Sequence, residues 1–274
     1  MHPPSDTSAR HVLNKVPEVT LYFWVIKIMA TTVGETAADF LNFDLHMGLT
    51  NTSILMGVLL VGALAIQIDL RKYVPAVYWI AVVFLSVFGT LITDNLSDNF
   101  GVALTVTTAI FSIALIATFA SWYVSEKTLS IHSIFTTRRE LFYWTAILFT
   151  FALGTAAGDL VAEGLQLGYA TSALIFASLI ALVTAAHYWL KLDAIWAFWI
   201  AYVLTRPFGA SCGDLLSQTP ADSGLGLGTV GTSALFLLVI LALVTYLSIT
   251  KRDVIPQPDG SRHEYRPDAT NLAP

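Results

Sequence analysis

Four copies of one pattern run through this chain of 274 residues: Trp, nine residues, Gly, four residues, Asp. The copies are Trp24/Gly34/Asp39, Trp79/Gly89/Asp94, Trp144/Gly154/Asp159 and Trp199/Gly209/Asp214. An aromatic residue precedes every Trp (Phe23, Tyr78, Tyr143, Phe198), and successive Trp residues stand 55, 65 and 55 positions apart. A long fixed period is the signature of a repeat architecture, so the chain has to build one object from four like pieces. Each copy lies in a stretch apolar enough to cross a bilayer. A carboxylate there is costly and marks a functional position by default.

Composition agrees. The chain is 55% hydrophobic and 12% charged, about half the charged share of soluble domains. Apolar stretches of spanning length fall at about 19–41, 51–69, 74–93, 101–123, 141–160, 169–190, 194–216 and 229–250. They lack the alternation of barrel strands, which leaves helices as the way to satisfy their backbone in lipid. The expected fold is an all-α polytopic membrane protein. It has eight transmembrane helices, arranged as four parallel two-helix repeats around an axis along the membrane normal. The repeats cover about 19–70, 74–125, 139–191 and 194–250, between polar segments 1–18 and 252–274.

Charge sets the expected orientation. Twelve of 14 Lys and Arg lie before the first span (Arg10, Lys15), in the loops after even spans (Arg71, Lys72, Lys127, Arg138, Arg139, Lys191), or after the last span (Lys251, Arg252, Arg262, Arg266). The loops after spans 1, 3, 5 and 7 have none and carry Asp44, Asp98, Glu163 and Asp222 instead. By the positive-inside rule both termini are cytoplasmic. Each second helix opens on Gly-x3-Thr/Ser (Gly48/Thr52, Gly101/Thr105, Gly168/Ser172, Gly228/Thr232), a small-residue pattern suited to close helix packing in membranes.

On a helix, the Asp lies about 60° around from its Trp and roughly 22 Å beyond it. Position +11 from the Trp (Glu35, Thr90, Thr155, Ala210) falls between the two, and position +7 (Thr31, Ser86, Phe151, Arg206) just to the other side. With Trp in the cytoplasmic interfacial belt, the four Asp become a ring of carboxylates at one depth, a device that attracts cations. Asp39, Asp94, Asp159 and Asp214 are the candidate ion or metal ligands, joined by Glu35 one turn below Asp39. Lys27 and Arg206, the two cations inside spans, are candidate counter-ions. Gly34, Gly89, Gly154 and Gly209 permit close approach or a kink, and Arg206-Pro207 suggests a kinked, discontinuous helix. A second reading of the Asp residues is as caps of the outer helix ends.

The segments Lys15–Thr20, Thr31–Glu35, Thr128–Ile134 and Thr205–Ala210 resemble a family of bacterial integral membrane proteins, usually labelled uncharacterised membrane-anchored proteins, made of four tandem two-helix repeats each with a signature Trp. The resemblance covers about residues 15 to 250. It implies a multi-pass protein of the bacterial plasma (inner) membrane and supplies no activity.

Three functions compete. A cation transporter, for a divalent metal or coupled to protons, suits oxygen ligands such as these. A membrane scaffold or sensor without transport would use the same charges structurally. An enzyme is disfavoured, since no zincin motif, nucleophile elbow or phosphate loop is present. No cofactor motif occurs, and the single Cys212 can build neither a disulfide framework nor a thiolate site. The sparse basic residues form no nucleic-acid-binding patch. The expected partners are the lipid bilayer and a small cation or proton.

Overall fold

A computed structural model describes residues 14–254. Arg10, Arg262 and Arg266, with the rest of residues 1–13 and 255–274, lie outside the described residues. Eight long helices form: α1 (Leu21–Asp39), α2 (Leu49–Asp69), α3 (Pro75–Asp94), α4 (Leu104–Glu126), α5 (Thr137–Asp159), α6 (Tyr169–Trp189), α7 (Ala194–Ser217) and α8 (Gly228–Thr250). Their starts have local causes. Thr20 and Thr136 accept hydrogen bonds from Phe23 N and Arg139 N, Asp193 caps α7 through Ile195 N and Trp196 N, and Pro75 opens α3.

Six helices are long and apolar enough to cross a membrane: α2, α3, α4, α5, α6 and α8, the third and fifth each taken with the turn that follows it. The other two, α1 and α7, hold Lys27, Glu35, Arg206 and Asp214. They are also among the most enclosed, because helices surrounded by other helices need no apolar exterior. The lipid-like surface comes from the even helices, which expose Ile54, Val58, Ile113, Ile116, Leu174, Leu182, Leu238 and Leu241. An apolar exterior of this extent belongs to a membrane protein.

The odd helices form a closed ring: α1 packs on α3, α3 on α5, α5 on α7 and α7 on α1. The even helices wrap it from outside, and each lies on the next repeat rather than on its own: α2 on α3, α4 on α5, α6 on α7, α8 on α1. Polar bonds fasten three of these contacts. Asn95 Nδ2 donates to Ser53 Oγ at 2.8 Å, Ser172 Oγ pairs with Ser211 Oγ at 2.8 Å, and Thr36 Oγ1 pairs with Ser233 Oγ at 2.7 Å. The repeats are therefore interleaved hairpins and not self-packed ones.

The repeated Gly residues make the ring possible. A Cβ on Gly34 would overlap Ser86, one on Gly89 would overlap Phe151, one on Gly154 would overlap Arg206, and one on Gly209 would overlap Thr31. In every case the glycine of one repeat receives the +7 side chain of the next, and the fourth receives that of the first. Close approach is the role. The helix α7 runs unbroken through Pro207, so the expected discontinuity is absent, and a Cβ on Gly154 would also press on the proline ring at 3.0 Å.

The repeated Trp residues also find a different place from the interfacial belt. Trp79, Trp144 and Trp199 are buried, and Trp24 is partly so. Each preceding aromatic packs, tilted or edge-on, against the Trp of the following repeat: Phe23 on Trp79 (5.7 Å between ring centres), Tyr78 on Trp144 (5.4 Å), Tyr143 on Trp199 (6.1 Å) and Phe198 on Trp24 (5.6 Å). The result is an aromatic collar across the ring's N-terminal end. Below it lie chain segments that seal this end. Lys15 Nζ forms a buried ion pair with Glu140 (2.8 Å), Trp199 Nε1 donates to Leu129 O (2.9 Å), and Ile131 and Ile134 are buried. Lys15, four residues before the first apolar span, is thus part of the packed structure.

The Gly-x3-Thr/Ser starts need correction too. Gly48, Gly101, Gly168 and Gly228 all have positive φ (65–75°) and open space where a Cβ would go, so backbone conformation and not packing selects glycine. In the second repeat the buried hydroxyl matching Thr52, Ser172 and Thr232 is Thr107, whereas Thr105 is exposed.

Candidate functional site

Above the collar the ring is filled layer by layer. At +3 lies Lys27, fully buried, donating to Thr205 Oγ1 at 3.1 Å and lying 4.7 Å and 4.4 Å from the ring centres of Phe151 and Tyr202. Among the described residues no carboxylate lies within ion-pair distance of it, so it is not the counter-ion expected. Arg206 is. From +7 of the fourth repeat its Nη2 reaches the +11 layer of the other three. It donates to Glu35 Oε2 at 2.9 Å, to Thr155 Oγ1 at 2.7 Å and, in a short contact, to Thr90 Oγ1. Its Nη1 donates to Thr31 O at 3.2 Å. Arg206 is wholly buried and Glu35 nearly so, the setting in which a charge-assisted pair is strongest and its loss most damaging. Ala210, at +11 of the fourth repeat, adds no polar group.

At +15 the four Asp open into one cavity of about 1200 Å³. Asp39, Asp94 and Asp159 are each the last α-helical residue of their segment, and Asp214 lies three residues before the end of α7. The first three are followed by a widened helical turn, closed by Leu45 N to Phe40 O (3.0 Å), Phe100 N to Asn95 O (3.0 Å) and Leu165 N to Leu160 O (2.8 Å). Such π-type turns concentrate at functional sites. Here they bring the next acid, Asp44, Asp98 or Glu163, over the same cavity. At the corresponding place the fourth repeat has Gln218, whose Nε2 donates to Asp39 Oδ2 at 3.2 Å.

Among the described residues the cavity is therefore lined by eight carboxylates (Glu35, Asp39, Asp44, Asp94, Asp98, Asp159, Glu163 and Asp214) and by no Lys, Arg or His. The structure brings all five predicted acids together. It also adds three that sequence reasoning had left in loops, although their spacing of four or five residues from the repeat Asp was visible. Within this set Glu35, Asp159 and Asp214 are singled out: one oxygen of each lies within 4.8 Å of the others. Asp39 and Asp94 line the same space outside that triplet. The small-residue stretches before Asp159 and Asp214 stay helical and do not unwind. Asp39, Asp94 and Asp159 stand where the α-helix widens but make no side-chain capping hydrogen bond, so the structure does not support the reading of the Asp residues as caps.

These features define a helical membrane protein of four interleaved repeats around a carboxylate-lined cavity. The chain belongs to the family built on a repeat of unknown function (DUF347), which matches residues 22–73, 77–128, 142–193 and 197–253. No curated protein and no solved structure matches it.

Proposed function

We propose that this protein transports a cation across the plasma membrane of a bacterium, with all eight helices spanning, both termini cytoplasmic and the acidic cavity facing outward. One observation carries the reading: among the described residues, eight carboxylates and no basic group line an open cavity between the inner helices. A cleft lined by one sign of charge between low-dielectric walls concentrates counter-ions. The orientation rests on charge segregation. Lys15, Arg71, Lys72, Lys127, Arg138, Arg139, Lys191, Lys251 and Arg252 gather at the collar end, and the segments at the cavity end have no Lys or Arg. The bacterial assignment rests on the resemblance of the segments at Lys15–Thr20 and Thr205–Ala210.

The axis is blocked below the cavity by the Arg206 layer, Lys27 and the aromatic collar. This closure suits a carrier that changes conformation better than an open channel. The ring of parallel inner helices provides the axis along the membrane normal. Glu35 would carry the proton or bear the ion, with Asp39 the outer ligand and Arg206 the internal charge competing for Glu35. A scaffold or sensor without transport has one observation in its favour, the ion pair already formed between Arg206 and Glu35. Against it, Arg206 Nε, Ser86 Oγ and Tyr202 OH lack hydrogen-bond partners among the described residues. A purely structural network would be expected to satisfy them.

The test is flux in proteoliposomes across a pH gradient, with manganese, calcium and protons followed separately. Glu35→Gln should abolish pH-coupled flux in a protein that still folds and inserts. Unchanged flux in both Glu35→Gln and Asp39→Asn would transfer the weight to the scaffold.

A further inference from the structure

The fourfold ring is least symmetric at its inner acidic layer, where Glu35 comes only from the first repeat and faces helices α5 and α7. Gly213 sits against this point: a Cβ there would press on Glu35 Cβ at 3.3 Å and Thr32 O at 3.2 Å. Close approach of α7 brings Asp214 beside Glu35, and Asp159 completes a triangle of oxygens no more than 4.8 Å on a side. An ion at its centre would stand no more than about 2.8 Å from each oxygen, which brings the 2.3–2.6 Å of calcium within reach. Magnesium demands strict octahedral geometry at about 2.0–2.1 Å and gives up its water reluctantly, so it is the poorer fit to carboxylates drawn from three helices.

A second observation comes from the same helix. Ser217, one turn beyond Asp214 on α7, is 6% exposed, lines the cavity, and its Oγ has no hydrogen-bond partner among the described residues. Asp214 itself is 7% exposed. A buried hydroxyl without a partner costs free energy unless something completes it. Hydroxyl and carboxylate oxygens together are the ligands of hard cations. Carboxylates from three separate helices converging on one point suit a divalent ion.

We infer that Glu35, Asp159, Asp214 and Ser217 form a binding site for one divalent cation of calcium or manganese size, with Glu35 bridging the ion and Arg206. This rests on the transport reading for its purpose but not for its chemistry. Glu35 Oε2 accepts from Arg206, which leaves Oε1 for the ion. Arg206 is a positioning residue: it holds the Glu35 carboxylate toward the triangle without touching the ion. Asp39, already accepting from Gln218, stands outside the site.

The experiment is equilibrium binding to the full chain in nanodiscs, with calcium followed by radioactivity and manganese by the loss of its free electron-spin-resonance signal. The expected result is one saturable site per chain for both ions, with magnesium competing at least about tenfold more weakly. Glu35→Gln, Asp159→Asn and Asp214→Asn should each weaken binding by about tenfold or more. Ser217→Ala should weaken it several-fold, and Asp44→Asn or Asp98→Asn by less than threefold. Glu126→Gln, paired with Arg139 away from the cavity, is the control. Monodispersity on size exclusion verifies each fold, and Ser217→Ala keeps the test open if a charge variant misfolds. Equal weakening by every cavity acid would mean diffuse condensation and overturn the site, as would no saturable binding. If binding is absent while proton-coupled flux persists, this inference fails and the transport reading stands. If stoichiometric binding occurs without flux, the site stands and transport fails.

Discussion

Arg206→Met removes the one cation inside the +11 layer and leaves the Glu35 carboxylate with only the Thr90 hydroxyl, 3.4 Å from Oε2. Breaking a buried ion pair by deleting one partner costs about 3–5 kcal/mol, whereas replacing both by neutral groups of similar volume is often nearly neutral. Glu35 borders the cavity at 7% side-chain exposure, so some water reaches it and the lower end applies, about 3 kcal/mol. For a chain of about this size 1 kcal/mol corresponds to roughly 2–4 °C in melting temperature. The expected drop is therefore about 6–12 °C for Arg206→Met. Glu35→Gln, which strands a guanidinium with no exposure at all, should cost at least as much. The double variant Glu35→Gln/Arg206→Met should regain at least half of the summed loss. The assay is thermal unfolding of purified protein in one detergent, read by intrinsic fluorescence and by loss of the monodisperse peak, for all four members of the cycle. Single variants that each melt within about 2 °C of wild type would refute the argument. So would a double variant that loses the sum of the two.

Gly154→Ala should destabilise the bundle by about 1–3 kcal/mol through overpacking against Arg206. In contrast, Gly62→Ala on outer α2, with nothing within 4 Å of the added carbon, should leave the melting temperature unchanged or slightly raised. Reporter fusions at residues 45, 98, 165 and 222 should all report the extracytoplasmic side, and a cytoplasmic signal at any one breaks the interleaved-hairpin topology. Tyr73, outside the spans, has its phenol pushed up by burial and by its hydrogen bond to Asp253 (2.6 Å). A raised native pKa gives stability that is whole below the unfolded value near 10 and is lost as pH rises above it. Tyr73→Phe should therefore flatten the fall in melting temperature above pH 10, and an unchanged slope would contradict this.

Much of the bundle was legible because membrane spans announce themselves by length and apolarity. All eight helices formed within about four residues of the expected stretches. The +7, +11 and +15 positions met because residues sharing a helix face must share a neighbour. What periodicity cannot say is which neighbour. Trp79 in a collar and a Trp in an interfacial belt read alike along the chain, and only the ring contacts distinguish them. Lys27 and Arg206 were equally plausible partners for Glu35. A difference of one turn set Lys27 among aromatic rings and Arg206 at the carboxylate. Asp44, Asp98 and Glu163 were read as loop charges because a regular helix would have ended before them. The widened turns that return them to the cavity leave no mark in composition. The misalignment of Thr105 with Thr107 arose from treating a glycine that serves a turn as part of a packing motif.

In the ring of glycines and aromatics every contact passes from one repeat to the next, and the last passes to the first, so no repeat is structurally the beginning. The ends of the packed chain are already neighbours, with Glu18 N donating to Asp253 O at 2.9 Å. A gene rearranged to begin at Thr137 and to run through a short joint from residue 254 back to residue 14 would encode the same closed circle.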